Sequence, residues 1–425
     1  MKTETFDKII DLIHREVVPA IGCTEPVAVA ICTARATELL GCLPEKINLN
    51  LSGNIIKNAM GVGIPGTGMI GLPIAVALGA LVGKSEYGLE VLKDVTPEAL
   101  EKGKQYIAEG RISIAHLKEA PSNLHIEVEV EADGNKAKAI ISGSHTNFVH
   151  LSRNGEQLET ASDSAEAHQT DDDIDLTAAM VWEFATSVPL DKIGFILESG
   201  WMNRDAARLA LKCDYGHGLG KVIREQGIRF FGDTTIRHIL AMTSAACDAR
   251  MGGAQVPVMS NSGSGNQGIT ATLPVVCYAE DIGASDSQLT RALALSNLTS
   301  IYIKQSLGRL SALCGCVVAS TGASAGLVYL MGGGYDEVCS AIKNMVANLT
   351  GMICDGAKPA CALKITSGVS TALMSAMLAM NGKCVTSQEG IVHDDIDQTV
   401  HNLTIIGREA MTETDHLVLD IMVNK

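Results

Sequence analysis

Residues 124–141 read Leu-His-Ile-Glu-Val-Glu-Val-Glu-Ala-Asp-Gly-Asn-Lys-Ala-Lys-Ala-Ile-Ile. Leu124–Glu131 alternates apolar and polar side chains, the period of a strand with one buried face. Asp133-Gly134 is a hairpin turn pair, and Lys136–Ile141 is the return strand. The hairpin establishes that the chain contains a sheet. Lys46–Ser52 alternates in the same way, with Ile47, Leu49 and Leu51 on one face. Ile112–Ile114 is a further short strand. Phe148–Ser152, followed by Asn154-Gly155, is another. With a helix near Pro97–Glu109, residues 45–157 form a small α+β module.

Outward from the module the pattern turns helical. Phe6, Ile9, Ile10, Ile13 and Val17 recur at helical spacing, so residues 5–18 form an amphipathic helix that Pro19 ends. Gly22–Pro26 is a loop, and Val27–Leu40 is a second, apolar helix. Residues 1–44 are expected to pack on the helical core. Residues 158–175 are polar and acidic, with Asp171, Asp172 and Asp173, and read as a linker or exposed loop. From Leu176 onward there is helical periodicity with Gly and Ser breaks and almost no alternation. The fold class is α+β: N-terminal helices and a small α+β module (45–157) joined to a large all-helical C-terminal domain (176–425).

A chain of 425 residues is expected to form two or three domains. It is 46% hydrophobic but only 4% aromatic, with 42 Gly, so its core must be built from Ala, Val, Leu, Ile and Met. Helices must approach closely over small residues, and the same small-residue surface suits a homodimer. The net charge of −15 argues against nucleic acid and anionic membranes, which need Lys and Arg patches. The N-terminus has no apolar signal region. Twelve cysteines then suggest a reducing cytoplasm, where thiols stay free or bind metal. The uncharged runs Asn58–Gly83 and Met251–Ala279 reach membrane-spanning length. Both are broken by Gly and Pro and read as buried segments rather than spans.

Four cysteines have distinctive settings: Cys314 ends Ser-Ala-Leu-Cys, Cys354 sits in Gly-Met-Ile-Cys-Asp-Gly-Ala, Cys361 begins Cys-Ala-Leu-Lys, and Cys23 lies in Gly-Cys-Thr-Glu-Pro. Thiolates hold iron–sulfur clusters, and three thiolates on a cubane leave one iron open for Lewis-acid chemistry. No Cys-x-x-Cys pair occurs, so spacing alone leaves open both metal ligation and burial as small hydrophobes. The remaining cysteines, Cys32, Cys42, Cys213, Cys247, Cys277, Cys316, Cys339 and Cys384, read mostly as small hydrophobes.

Other motifs carry less. Gly66-Thr-Gly-Met-Ile-Gly71 matches a dinucleotide fingerprint but lacks the preceding buried strand, so it reads as a loop entering a helix. Ser260-Asn-Ser-Gly-Ser-Gly-Asn-Gln-Gly268 can present N–H groups to a carboxylate or phosphate. His145, in Ser-Gly-Ser-His-Thr-Asn, is either a structural residue or a substrate contact. Asp248 and Arg250 read as a buried ion pair. Lys57 reads as a carboxylate binder or a solvated lysine.

Several of these motifs together resemble the L-cysteine desulfidase family: Gly22–Pro26, Gly61–Pro73, Ser142–Asn147, Asp248–Gly253, Ser260–Gly268 and Met352–Ala357. The resemblance spans essentially the whole chain. The helical half is similar to the α-subunit of iron–sulfur L-serine dehydratases. The resemblance implies an oxygen-labile 4Fe–4S cluster held by Cys314, Cys354 and Cys361. It also implies conversion of L-cysteine to pyruvate, ammonia and sulfide. The gap between Cys354 and Cys361 is shorter than in the serine enzymes, and Cys23 is either a replacement ligand or a catalytic thiol. Amides at the following helix start should lower the Cys23 pKa. Glu25 is the competing base, with His145 as a further catalytic candidate. Thr24, Lys57, Asn261, Ser262, Ser264 and Asn266 are the expected substrate contacts. The alternatives are serine dehydratase-like activity, a pyridoxal-phosphate β-eliminase using Lys57 or Lys364, and a non-catalytic small-molecule binding protein.

Overall fold

The computed structural model describes residues 2–159, 174–308 and 311–424. Most of the acidic stretch read as a linker lies outside the described residues. The first part of the chain holds α1 (Thr3–Glu16), β1 (Pro19–Ile21), α2 (Thr24–Leu40), β2 (Lys46–Leu51), α3 (Gly53–Ala59), α4 (Leu72–Leu81) and α5 (Pro97–Ala108). Strands β3 (Ile112–His116), β4 (His125–Ala132), β5 (Asn135–Ser142), β6 (Phe148–Arg153) and β7 (Glu156–Glu159) follow. The second part begins with α6 (Ala178–Ser187), α7 (Leu190–Ile193), α8 (Leu197–Ala210), α9 (Leu219–Gln226), α10 (Ile228–Phe231) and α11 (Thr235–Met251). After β8 (Pro257–Met259) come α12 (Gly265–Ile282), α13 (Asp286–Leu307), α14 (Gly315–Leu330) and α15 (Tyr335–Leu349). The chain closes with α16 (Cys361–Met380), α17 (Ile396–Ile405) and α18 (Thr412–Asn424). The α+β class read from the sequence is the observed one.

The alternating segments form one sheet in the order β3-β2-β4-β5-β6-β7. β2 and β3 run parallel and the other neighbours antiparallel. On one face Leu49 lies opposite Val128, and Ile47 opposite Val130; all four are fully buried. The other face carries Glu127–Lys138 at 2.7 Å and Glu131–Lys136 at 2.8 Å. Exposed pairs of this kind mainly favour the register.

The expected grouping of residues 1–44 splits. α1 joins the helical core through Ile9 and Ile13, and Phe6 meets Phe184 with ring centroids 5.8 Å apart. α2 packs on the sheet and on α4 instead. Its sequence is apolar on every side, which suits a helix sandwiched between two layers.

The helical part packs without aromatic bulk. Ser300, Ser320, Thr321 and Ser324 on α13 and α14 are fully buried. Each donates its hydroxyl to a carbonyl of its own helix, at 3.0, 2.6, 2.8 and 2.7 Å. Ser296 donates across to the Ala271 carbonyl of α12 at 2.6 Å. With these polar atoms satisfied, small side chains let the helices close on one another. Among the described residues, α16 alone is long and apolar enough to cross a membrane by length and composition. It packs on α11, α14 and α15.

Among the ties that join the parts are a short ribbon and an ion pair. β1 and β8 form an antiparallel ribbon with Pro19 opposite Met259, too short for alternation to reveal. Lys57 of α3 is buried and paired with Asp415 of α18, whose Leu419 belongs to the module's core.

Asp248 of α11 anchors α9: its Oδ2 accepts the Gly220 N–H at 2.9 Å, while Oδ1 has no partner. Burial raises its carboxyl to about 6, against the lowering influence of the Gly220, His217 and Leu219 N–H groups. Between about pH 4 and that value, the folded protein keeps a proton that the unfolded chain has released. Stability from this group therefore falls as pH rises through the window and is flat above it. Asp248→Asn keeps the acceptor without the charge. It should be more stable than wild type above pH 6, by on the order of 1–3 kcal/mol, with the gain vanishing near pH 4. Urea denaturation across that range measures it, and a pH-independent difference contradicts the assignment.

Candidate active site

Four helices begin at one partly open cavity of about 120 Å³. Cys23 is the residue before α2, Ser264 the one before α12 and Cys314 the one before α14, while Cys361 opens α16. All four line the cavity, together with Cys354. The starts of α2, α12 and α14 turn the positive ends of their dipoles toward this space, while the first N–H groups of α16 are taken by the preceding turn, that of Cys361 by the Lys358 carbonyl at 2.8 Å. The cavity therefore favours anions.

The backbone explains how distant cysteines meet. Residues 312–314 and 352–354 pair as an antiparallel bridge: the Cys314 N–H donates to the Met352 carbonyl at 2.9 Å, and the Cys354 N–H to the Ala312 carbonyl at 2.6 Å. The short loop from Cys354 to Cys361 is clamped by Asp355, which pairs with Lys358 at 2.6 Å and with Lys364. Burial alone would raise the Asp355 carboxyl, but the two lysines hold it down at about 2. Gly356 has φ +88°, and a Cβ there would fall 1.9 Å from the Lys57 carbonyl oxygen. The loop can lie against α3 only because this residue is Gly. The β1–β8 ribbon brings the Cys23 loop in from the other side. The Ser260 N–H donates to the Val18 carbonyl at 2.8 Å, and the Ser262 N–H to Glu16 at 2.9 Å.

Burial raises three of the thiols here. Burial first, then the nearby Cys354, pushes Cys314 up to about 12. Burial likewise raises Cys361 and Cys316. Among the described residues, no three His, Cys, Asp or Glu side chains converge closely enough to hold a single metal ion. Cys314, Cys354 and Cys361 ring the cavity instead. A polynuclear cluster takes its thiolates in this way, one per iron, and the metal drives off the thiol protons. The donor chemistry and the cleft between the three thiols fit such a group.

Cys23 does not have the lowered pKa expected from its helix start. Burial and the adjacent Glu25 raise it well above the ordinary value, and Arg250 only partly offsets them. Its Sγ–H donates to Glu25 Oε2 at 2.8 Å, and the Thr24 hydroxyl donates to the same oxygen at 3.3 Å.

Of the residues singled out in the sequence, Cys23, Glu25, Ser264, Asn266, Cys314, Cys316, Cys354, Cys361 and Lys364 line the cavity. Thr24 reaches it only through Glu25. Asn261 and Ser262 build the loop beneath: the Asn261 amide donates to Asn297 Oδ1 at 3.0 Å, and the Ser262 hydroxyl donates to Asn261 Oδ1 at 2.9 Å. Lys57 is taken by Asp415. His145 lies in the β5–β6 loop of the module and is absent from the cavity wall.

The expected Asp248–Arg250 pair does not form. Residues two apart on a helix point to opposite sides, so Asp248 turns to α9 while Arg250 turns into the cavity. Gln267 and Asn58 also line it. They stand beside flagged residues, but only the folded chain shows which neighbour faces inward.

Residues 86–420 match the family described as serine dehydratase alpha chain. The chain is 61% identical over 419 residues to UPF0597 protein BF3560 of Bacteroides fragilis, covering 98% of each chain. It is 59% identical over 419 residues to a UPF0597 protein of Bacteroides thetaiotaomicron, again covering 98% of each. A UPF0597 protein of Aeromonas hydrophila is 44% identical over 427 residues, covering 99% of this chain and 97% of that one. With four-fifths of its length matched and its thiols gathered at one cavity, the chain belongs to the serine dehydratase alpha chain family, whose members include iron–sulfur lyases.

Proposed function

We propose that this protein is an iron–sulfur lyase that eliminates hydrogen sulfide from L-cysteine, yielding pyruvate and ammonia after hydrolysis. The observation that carries the reading is a cavity ringed by Cys314, Cys354 and Cys361 that also holds the Cys23–Glu25 hydrogen bond. The three ring cysteines would hold a 4Fe–4S cluster, which supplies when bound a Lewis-acidic iron for the departing substituent on the substrate's Cβ.

The chain's own residues supply the proton chemistry. Cys23 is too strongly raised to stand as a free thiolate, but its proton already points at Glu25. As the Cys23 sulfur takes the Cα proton, its own proton passes to Glu25. No separate thiolate forms, and burial keeps water from competing. The Cα–H electron pair becomes the Cα–Cβ double bond, and the Cβ–S bond breaks with its electrons on sulfur. The aminoacrylate released tautomerises and adds water, giving pyruvate and ammonia.

The second reading is L-serine dehydration, favoured by the family match. Hydroxide is a much poorer leaving group than sulfide and needs an acid to protonate it. Among the described residues, no histidine lines the cavity to serve as that acid, which supports sulfide as the leaving group. Parallel assays of sulfide release from L-cysteine and pyruvate release from L-serine decide between them. The reading requires the first to dominate; a preference for serine overturns it.

Cys314→Ala and Cys354→Ala should each lower bound iron sharply and abolish sulfide release, since two protein thiolates hold a cubane poorly. Full iron and activity in either variant removes that residue from the site. Cys23→Ser should keep most of the iron yet lose turnover by about 10²–10⁴-fold, the usual value of a positioned proton-transfer group. Loss of iron together with activity would instead make Cys23 a ligand.

A further inference from the structure

The cavity contains one cation with no counterpart. Arg250, in the last turn of α11, is 5% exposed. It has no ion pair or hydrogen bond among the described residues, and its Nε is buried without a partner. Its guanidinium lines the cavity and lies along the first turn of α12. A Cβ at Gly265 would fall 2.3 Å from Nε, so Gly at this position makes the room. Guanidinium cannot shed its charge in a protein, and a buried charge without a partner is strongly unfavourable. Glu25, the acid among the described residues of the wall, is already engaged by Cys23 and Thr24. A second polar group is also unsatisfied: Gln267, 4% exposed and on the same turn of α12, has a buried Oε1 with no donor.

We propose that Arg250 receives the substrate's carboxylate and that Gln267 Oε1 accepts from its α-ammonium. The pair makes the cavity selective for a free α-amino acid over amines and esters. This assignment rests on the reading of the cavity as an amino-acid lyase site. It takes the place of Thr24 and the Ser262–Gly268 loop as the carboxylate donors that the sequence suggests. The guanidinium offers a planar two-pronged donor that matches a carboxylate, and the converging helix starts add to the same field. A primary amine without the carboxylate would leave Arg250 unpaired, which is how a built polar site rejects a near-isostere.

The test uses full-length, cluster-reconstituted protein and has three parts. The first compares wild-type binding of L-cysteine, cysteamine and L-cysteine methyl ester by competition. The second measures L-alanine binding calorimetrically; this amino acid has no leaving group, so the readout does not depend on catalysis. The third repeats both, with iron analysis and KM, in Arg250→Met and Arg250→Lys. Cysteamine and the ester should bind at least about 10- to 100-fold more weakly than L-cysteine, the cost of losing a hydrogen bond to a charged group. Arg250→Met should weaken L-alanine binding and raise KM by a similar factor with iron unchanged, and Arg250→Lys should recover part of the loss. Equal binding of cysteamine and L-cysteine by wild type overturns the proposal whatever the variants do. Unchanged L-alanine binding in Arg250→Met overturns it too, as does loss of iron in both variants, which would assign the guanidinium to balancing cluster charge. If wild type binds L-alanine through Arg250 yet releases no sulfide, the lyase reading fails while this one stands.

Discussion

Four helix starts converge on one partly open cavity, and the field they create constrains what the rest of the chain does. Unpaired N–H groups cannot face an apolar void. α2, α12 and α14 therefore favour something negative at their common origin, to which the dipole of α16 adds. On the proposed reading, thiolates bound to metal and a substrate carboxylate would meet that need together. The module and the helical part then act as a frame that brings four separate stretches to one point. The β1–β8 ribbon carries in Cys23, and the 312–314/352–354 bridge carries in two more thiols.

The core chemistry follows from the same constraint. Helices that begin together must stay close for some distance, and large aromatic side chains would force them apart. Buried Ser and Thr on α13 and α14 solve this, because each hydroxyl returns to a nearby carbonyl. The low aromatic content thus reports on helix spacing. The Asp355 clamp is the local counterpart: two lysines on one carboxylate hold a short loop so that its terminal cysteines face the same space.

Much of this was legible in the sequence, for identifiable reasons. Each strand of the module with an alternating pattern was readable, since one buried face imposes period two. The ring cysteines and the Ser260–Gly268 loop were visible as uncharged, small-residue settings. β1 and β8, three residues each, carry no pattern. α2 was assigned to the wrong partner because an apolar helix does not say which layers enclose it. Lys57 looked like a binder until the fold supplied Asp415 from the far end of the chain. The sequence pairs Arg250 with Asp248, which helix geometry turns away from it. Cys23 was expected to be acidic from its helix position, whereas burial outweighs the amides.

The central claim is that the ring of Cys314, Cys354 and Cys361 holds a cluster with one iron open to substrate. Mössbauer spectroscopy of anaerobically reconstituted protein, with and without L-cysteine, addresses it most directly. The account predicts a four-iron cluster in which one iron is distinct and only that iron's signal shifts when L-cysteine is added. Protein that takes up no cluster, or a cluster whose irons are all indifferent to L-cysteine, would contradict it.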